Sequence, residues 1–295
     1  MSVTATPPLA EILPPPVRRG RIWGFIRRHP TIAVGGVLIA IMIGIAMCAP
    51  WLGTVDPTAI APAQRIRDPS AAHWFGTDML GRDIYSRVMY GARISLLVGF
   101  SVALLTSIVG AFVGVIAGFI RVLDGVIMRI MDGMMSIPSI LLAIALMALT
   151  RASVQNVILA ISVAEFPRVA RLVRGIVLSL REQPFVEAAY AAGTRLPVII
   201  WRHILPNTMA AMTVQATFIC ASAMITEAIL SFIGAGTPPT VPSWGNIMAE
   251  GRALWQIKPL IVFFPAVFLS ITVLAVNLVG DGLRDALDPR LAKRL

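Results

Sequence analysis

The residue types that most often carry out chemistry are few in this chain. It has three histidines, His29, His73 and His203, and two cysteines, Cys48 and Cys220. Neither an HExxH nor a GxSxG motif occurs, so the spacing of a zinc protease or of a serine nucleophile is missing. Both cysteines lie in apolar segments, which favours small buried side chains over a disulfide or a metal site. The sequence predicts no catalytic residue, no metal site and no cofactor.

The sequence also lacks an ATP-binding loop. A P-loop has the pattern G-x-x-x-x-G-K-[ST], in which the backbone and the lysine hold the phosphates. The only lysines are Lys258 and Lys293, and neither follows a glycine. Transport driven by ATP would therefore need a partner that hydrolyses it.

Polar residues inside apolar segments are the remaining candidates, because charged groups in a membrane often mark an ion or solute pathway. Glu227 is the best of them, with Asn277 as an uncharged companion, and both are assigned to a possible pathway or gate. Counting residues along the fifth predicted span places Glu227 near the external end of its helix, where water is close. A carboxylate at the interface, or bonded to a neighbouring subunit, is the simpler interpretation.

Asp124 and Asp132 flank Arg129, and local ion pairing explains them. An ion-coupled secondary transporter or a channel stays open as the alternative function.

The composition indicates a protein that crosses a membrane several times. Of 295 residues, 57% are hydrophobic and 14% are charged, against roughly 25% charged residues in a soluble domain. The net charge of +10 comes mostly from arginines at the ends of apolar segments. This distribution is typical of topology signals, and it argues against a domain that binds nucleic acid.

Six segments are long enough to span a bilayer as helices, which takes roughly 20 apolar residues. They cover residues 31–52, 94–120, 125–150, 153–174, 208–232 and 259–280. The fourth is the weakest, because Arg168, Arg171 and Arg174 follow one side of it. An arginine at the bilayer centre costs about 2.5–3.5 kcal/mol on insertion scales, so all three are expected at the cytoplasmic end. The predicted fold class is an all-α membrane protein with six transmembrane helices.

Arginines also set the predicted orientation. The N-terminal tail has five arginines, and the segment 165–206 has six arginines against three glutamates. With six spans, both segments and the basic C-terminus lie on one side, which the positive-inside rule makes cytoplasmic. The predicted division is a tail at 1–30, a first helix at 31–52, an external loop at 53–92, a five-helix core at 93–281 and a tail at 282–295.

Small residues recur every four positions in the second predicted span. They are Gly99, Ala103 and Ser107, followed by Gly110, Gly114 and Gly118. This spacing lets helix backbones approach closely in lipid, so we expect the face to pack against another span or subunit, with pore lining as the alternative.

The most informative segment is polar and lies between two apolar segments, over residues 187–207. Pro184 suits a first helical turn, and Glu187 then lies near the positive end of the helix dipole. Gly193 is placed to end this helix, because glycine adopts the left-handed conformation without penalty. A second short helix follows, and Pro206 is predicted to stop it. A helix with small alanine side chains on its surface, lying outside the membrane, is suited to close binding by another protein.

This segment resembles the EAA loop of ABC-importer permeases, whose pattern is EAA, three residues, Gly, nine residues and I-x-L-P. The chain matches the pattern at Glu187, Ala188, Ala189, Gly193, Leu205 and Pro206, and departs from it at His203, where the pattern has isoleucine. The sequence RHILPN, at residues 202–207, resembles that of the peptide and nickel branch of the family. Residues 75–96, 227–252 and 280–291 resemble the same branch.

The resemblance is to the C-type permease subunit of dipeptide, oligopeptide and nickel ABC importers. It implies a type I ABC importer permease fold and a coupling loop at 181–206 that contacts an ATPase. The implied function is the ATP-driven import of di- or oligopeptides or a related small solute. The implied partners are a second permease subunit in a heterodimer, two cytoplasmic ATP-binding subunits, an external or periplasmic solute-binding protein and membrane lipid. The implied location is the bacterial inner membrane, with both termini cytoplasmic.

Two of the resembling stretches also carry structural expectations. We interpret residues 75–96 as a folded loop with internal ion pairs rather than as a direct contact for a binding protein. Residues 227–252 contain three prolines and are interpreted as a re-entrant or interfacial loop, with Trp244 at the headgroup level.

Overall fold

The computed structural model describes residues 29–287. Regular structure in this range is helical, apart from a single bridge between Thr77 and Asp83. The main helices are α1 (Pro30–Cys48), α2 (Ile84–Phe119), α3 (Arg121–Met135), α4 (Ser139–Ala148), α5 (Val154–Arg181), α6 (Pro184–Ala191), α7 (Leu196–Ile199), α8 (Leu205–Phe232), α9 (Trp244–Gly251) and α10 (Leu260–Leu287). Most of the two predicted tails lies outside the described range.

All six predicted spans correspond to helices, although not all are equally apolar. Within residues 29–287, four helices are long and apolar enough to cross a membrane: Pro30–Trp51, Ile84–Phe119, Leu196–Phe232 and Leu260–Leu287. The pair α3 and α4 would make a fifth. Helix α5 is 28 residues long but carries the arginines that weakened the fourth predicted span. The chain has an all-helical membrane-protein fold.

The third predicted span is broken rather than straight. Helices α3 and α4 meet at an angle of 87°. Pro138 causes the break, because it disfavours the helical conformation at Ile137 and cannot continue the backbone hydrogen bonds of α3. Helix α4 has 10 residues and is about 15 Å long, half the thickness of a bilayer core. Only the two helices together could cross.

The small residues of α2 pack against other helices of the same chain, which confirms the expected packing face. Three glycines touch α5 so closely that an added Cβ would lie 2.5 Å from it: Gly110 from Val169, Gly114 from Ala170 and Gly118 from Val177. Residue numbers rise together along both helices, so α2 and α5 run parallel. Two parallel neighbours in a bilayer need a return crossing between them, and the α3–α4 pair is the candidate for it.

The register between α2 and α5 locates Arg168 relative to the two arginines that flank the second predicted span. Val169 contacts Gly110, which is about 25 Å in helix length from Arg93 and about 17 Å from Arg121. The expectation that Arg168 lies at the cytoplasmic end of the membrane-spanning part of its helix stays a prediction.

Arg168, Arg171 and Arg174 each have a carboxylate partner, which lowers the cost of holding a charge near a membrane. Arg168 pairs with Glu165 at 3.2 Å, Arg171 pairs with Asp132, and Arg174 pairs with Asp124 through two hydrogen bonds. Asp124 and Asp132 thus connect α3 to α5, and the expected local pairing with Arg129 is wrong. The bend at Pro138 leaves α3 lying across α5, which brings the partners together.

The loop before α2 is folded and tied to α9. Arg82 and Arg87 each contact both Asp78 and Glu250, and all but Glu250 are buried. This confirms the internal ion pairs expected for residues 75–96. Trp244 is fully buried and donates a 3.0 Å hydrogen bond to the backbone carbonyl of Val88 in α2, while its place at the headgroup level stays a prediction.

The two cysteines differ in their surroundings. Cys220 is buried in α8, as predicted. Cys48, at the end of α1, is exposed in the chain, contrary to the prediction.

The α2–α5 contact generates a stability prediction. We expect Gly114→Val to lower the free energy of unfolding by about 1–3 kcal/mol, because the added side chain forces the two helices apart. The measurement is the thermal unfolding midpoint of the purified protein in detergent. Gly44→Val is the matched control, since nothing lies within 4 Å of a Cβ at Gly44. Equal midpoints for the two variants would contradict the packing argument.

Candidate functional site

The candidate site is the coupling segment, residues 181–206, which joins α5 to α8. Pro184 lies in the first turn of α6, where its missing N–H costs no hydrogen bond, and Glu187 is in the same turn. Its negative charge suits the positive end of the helix dipole. The predicted local structure of the EAA part is confirmed.

Gly193 ends α6 as predicted. Its φ is +75°, a conformation that favours glycine. The N–H of Gly193 donates to the carbonyl of Tyr190 at 2.9 Å, and the N–H of Thr194 donates to that of Ala189 at 3.0 Å. These two bonds form a Schellman motif, which fixes the direction in which the chain leaves α6.

Pro206 does not stop the second short helix, contrary to the prediction. Helix α7 runs into α8 through a π turn at Ile200–Ile204, so that residues 196–232 form one helical segment. A proline clashes with the carbonyl four residues earlier, and one wider turn relieves the clash while the backbone stays helical. Leu205 and Pro206 therefore lie in the first turn of α8, which continues the segment without a break.

Three buried side chains anchor the segment to the helical bundle. Val186, Ile199 and Ile204 are fully buried. His203 is partly buried and its ring centroid lies 6.2 Å from that of Phe185, so it connects the π turn to α6. The residue at the one departure from the EAA pattern thus has a packing contact in this chain.

The outward face of the segment combines charge with exposed apolar side chains. Glu187 and Ala188 are exposed, and Ala189 is partly buried. Around them lie large apolar residues with 43–74% of their surface exposed: Phe185, Tyr190, Val198 and Trp201. Sequence reasoning missed these four, although apolar residues in a polar segment were a visible signal. Such a patch on a rigid helical segment is typical of a protein-binding surface.

Glu227 is the second predicted site, and its surroundings differ from the prediction. It is fully buried near the end of α8. Its Oε1 accepts hydrogen bonds from Ser231 and Ser243, each at 2.9 Å, and from Thr237 at 3.5 Å. The expectation of nearby water, or of a bond to another subunit, is wrong for this chain. Glu227 instead holds the loop between α8 and α9 against α8.

Asn277 lies apart from Glu227 and is partly buried in α10. Gly280, three residues further along α10, faces Thr217. Thr217 precedes Glu227 by about 15 Å along α8. The structure therefore does not bring these two predicted pathway residues together.

Comparisons with known proteins identify the family of this chain. Residues 110–293 match the family described as "Binding-protein-dependent transport system inner membrane component". A "Probable peptide ABC transporter permease protein" of Sinorhizobium fredii is 50% identical over 268 residues, covering 91% of this chain and 92% of that protein. A dipeptide transport system permease protein of Alkalihalophilus pseudofirmus is 43% identical, with 90% and 88% covered. A glutathione transport system permease protein of Pectobacterium atrosepticum is 40% identical, with 90% and 89% covered.

Solved structures show the same fold. A chain of the MetNI methionine ABC transporter, in an inward-facing conformation, superposes with a TM-score of 0.57 and 23% identity. The match covers 70% of this chain and 98% of that one. The fold is that of a type I importer permease.

A bundle of membrane helices with an exposed, anchored segment between two of them defines a permease subunit of an ABC importer. The chain belongs to the family of inner-membrane components of binding-protein-dependent transport systems. Members of this family work with an ATP-hydrolysing partner and a solute-binding protein. This places the chain among ATP-driven importers, and nothing favours the ion-coupled alternative.

The Glu227 cluster generates a second prediction. We expect Glu227→Ala to destabilise the protein by about 1–3 kcal/mol, because buried hydroxyl groups lose their shared acceptor. Limited proteolysis of the loop at 233–243 should also become faster. Glu227→Gln keeps an acceptor oxygen in place and should retain most of the stability. A Gln variant as unstable as the Ala variant would show that the bonds to Oε1 are not what holds the loop.

Proposed function

We propose that this chain is one of two different permease subunits of an importer for peptides or related small solutes. We further propose that the ATPase partner binds segment 181–206 and moves it when ATP is hydrolysed. The observation that carries the proposal is the outward face of α6 and α7. It exposes Glu187, Ala188 and large apolar side chains, while three buried residues hold the segment to the bundle. A partner bound to this surface can move segment 181–206 without detaching it from the helices beneath it.

The segment connects to the bundle at both ends. It follows α5 after Arg181, and it passes into α8 through the π turn without a flexible joint. A partner that moves α6 therefore moves two membrane helices. Movement of these helices would open the solute pathway alternately to the two sides of the membrane.

The substrate class rests on the relatives, which are named for peptide, dipeptide and glutathione transport. These solutes share a peptide bond and a free carboxylate. We propose a peptide or peptide-like solute, delivered by an external solute-binding protein. The chain itself carries out no chemistry in this proposal.

The proposed assembly is a heterodimer of permease subunits with two ATP-binding subunits. Both termini and segment 181–206 lie in the cytoplasm, because the arginine-rich segments favour that side. Glu187, Ala188, Ala189, Gly193, His203, Leu205 and Pro206 are the proposed coupling residues, while Glu227 and Asn277 hold structural positions along the helices.

Reversing the charge of Glu187 tests the coupling role. We expect Glu187→Lys to reduce peptide uptake at least tenfold while the subunit still inserts and the assembled complex still hydrolyses ATP. The physical reason is a like-charge contact with a basic surface of the ATPase. Glu182→Lys is the matched control, because Glu182 is also exposed but precedes α6. Normal uptake by Glu187→Lys in reconstituted vesicles would contradict the docking role.

A bulky residue at Gly193 tests the geometry of the same segment. Gly193→Val forces a side chain into a left-handed conformation and should redirect the chain after α6. We expect loss of uptake with normal amounts of protein in the membrane. Unchanged transport would mean that the orientation of α6 is unimportant for coupling.

The proposed orientation has its own test. A cysteine at Thr194, in a Cys48→Ser, Cys220→Ala background, should react with an impermeant thiol reagent only from the cytoplasmic side. A cysteine at Ala59, in the exposed loop before α2, should react only from outside. Labelling of the Thr194 variant in intact cells would overturn the topology.

A further inference from the structure

Arg181 is the last residue of α5 and the first residue of the coupling segment. Its side chain is partly buried, and its Nη1 donates a 3.0 Å hydrogen bond to the backbone carbonyl of Gly118. Gly118 is the second-to-last residue of α2. The bond therefore joins the start of the coupling segment to the end of a helix that the segment does not continue.

Arg181 also extends the row of α5 side chains that packs on α2. Three valines precede it at intervals of four residues, and all three are buried against the glycines of α2: Val169, Val173 and Val177. Side chains at this spacing follow one side of a helix. Helix α2 ends at Phe119, directly after Gly118, so the fourth side chain of the row meets a helix end instead of another glycine. A hydrogen bond takes the place of apolar packing at this position.

The end of α2 suits a guanidinium group. The last four carbonyls of a helix have no partner within it, and they carry a partial negative charge. The N–H of Ile120 donates to the carbonyl of Ile116 at 2.9 Å, and Arg181 supplies the donor for the carbonyl of Gly118. A hydrogen bond from a charged donor is about twice as strong as a neutral one. Arg181 thus caps α2 from a neighbouring helix.

The chain between Arg181 and α6 is short. It consists of Glu182 and Gln183, which are both exposed. Backbone hydrogen bonds close this turn, because the N–H of Gln183 donates to the carbonyl of Leu180 at 3.1 Å and the N–H of Val186 donates to that of Gln183 at 2.9 Å. A displacement of α6 therefore reaches Arg181 across a single hydrogen-bonded turn.

We propose that Arg181 fastens the coupling segment to α2, so that α2 moves together with α5 and α6 when the ATPase partner moves the segment. Arg181 is a positioning residue, because it acts through the carbonyl of Gly118. Without this bond, the last turn of α5 bends away from α2, and part of the movement of α6 is lost in the bend. The proposal rests on the proposed function and adds a third membrane helix to the two that continue the segment.

Distances between spin labels test whether α2 moves with the segment. The labels are attached to cysteines at Phe112 of α2 and Ala191 of α6, both exposed, in a Cys48→Ser, Cys220→Ala background. Double electron–electron resonance on the assembled transporter compares the nucleotide-free state with the state trapped by ATP and vanadate. We expect one narrow distance distribution that nucleotide does not shift. In Arg181→Met, which cannot donate the bond, nucleotide should shift or broaden the distribution.

Arg151→Met is the matched control for this measurement. Arg151 is exposed and lies before the other end of α5, so its loss removes the same charge and leaves the bond to α2 intact. Its distance distribution should equal that of the wild type. A wild-type distance that shifts with nucleotide would overturn the proposal even where Arg181→Met fails to assemble. Equal distributions in the wild type and Arg181→Met would overturn it as well.

Transport per ATP hydrolysed tests the effect on coupling. With the dipeptide alanyl-alanine and its binding protein, we expect Arg181→Met to lower uptake per ATP hydrolysed at least fivefold in reconstituted vesicles. ATP hydrolysis should stay within twofold of the wild type. Arg181→Lys keeps an N–H donor and should restore more than half of the coupling. A merely structural role would reduce uptake and hydrolysis in parallel. That result, or full coupling in Arg181→Met, would count against the role of Arg181.

The two tests separate this inference from the proposed function. If the wild-type transporter takes up no dipeptide, the proposed peptide substrate fails, while the label distances still decide whether α2 moves with α6. If Glu187→Lys abolishes uptake and Arg181→Met leaves coupling unchanged, the docking role of the segment stands and the role of Arg181 fails.

Discussion

The close contact between α2 and α5 is the interaction on which the rest of the structure depends. Glycines on α2 allow the valines of α5 to approach to a distance that no larger residue permits. In lipid, where the hydrophobic effect does not drive helices together, such contact area supplies much of the attraction. Two parallel membrane-spanning helices need a return crossing between them, and the sharply bent α3–α4 pair is the candidate for it. The same register determines which residues of α2 and α3 lie beside each charged group on α5.

Ion pairs hold three of the four arginines of α5. Arg168, Arg171 and Arg174 each have a carboxylate partner, and two of the three partners come from α3. A paired charge costs less to hold in a membrane than a free one. The pairs also tie the broken span to the helix that leads into the coupling segment. A movement of α5 would therefore carry α3 with it, so that the motion reaches more than the two helices that continue the segment.

The coupling segment combines firm attachment with exposure. Buried Val186, Ile199 and Ile204 attach it to the bundle, the Schellman motif at Gly193 sets the angle of α6, and the π turn keeps α7 and α8 continuous. At the other end of the bundle, Glu227 and the ion pairs around Asp78 attach the loops to the helices. Specific side-chain contacts thus hold the described chain together at both ends of the bundle.

The sequence by itself determined the helical spans, the family and the local structure of the EAA segment. These properties depend on short-range patterns: apolar length, a proline in a first turn, and a glycine where a left-handed residue is needed. The pairing of Asp124 and Asp132 and the burial of Glu227 and Trp244 were decided by tertiary structure. Each depends on which helix faces which and in what register, and contacts across 16 to 156 residues carry that information.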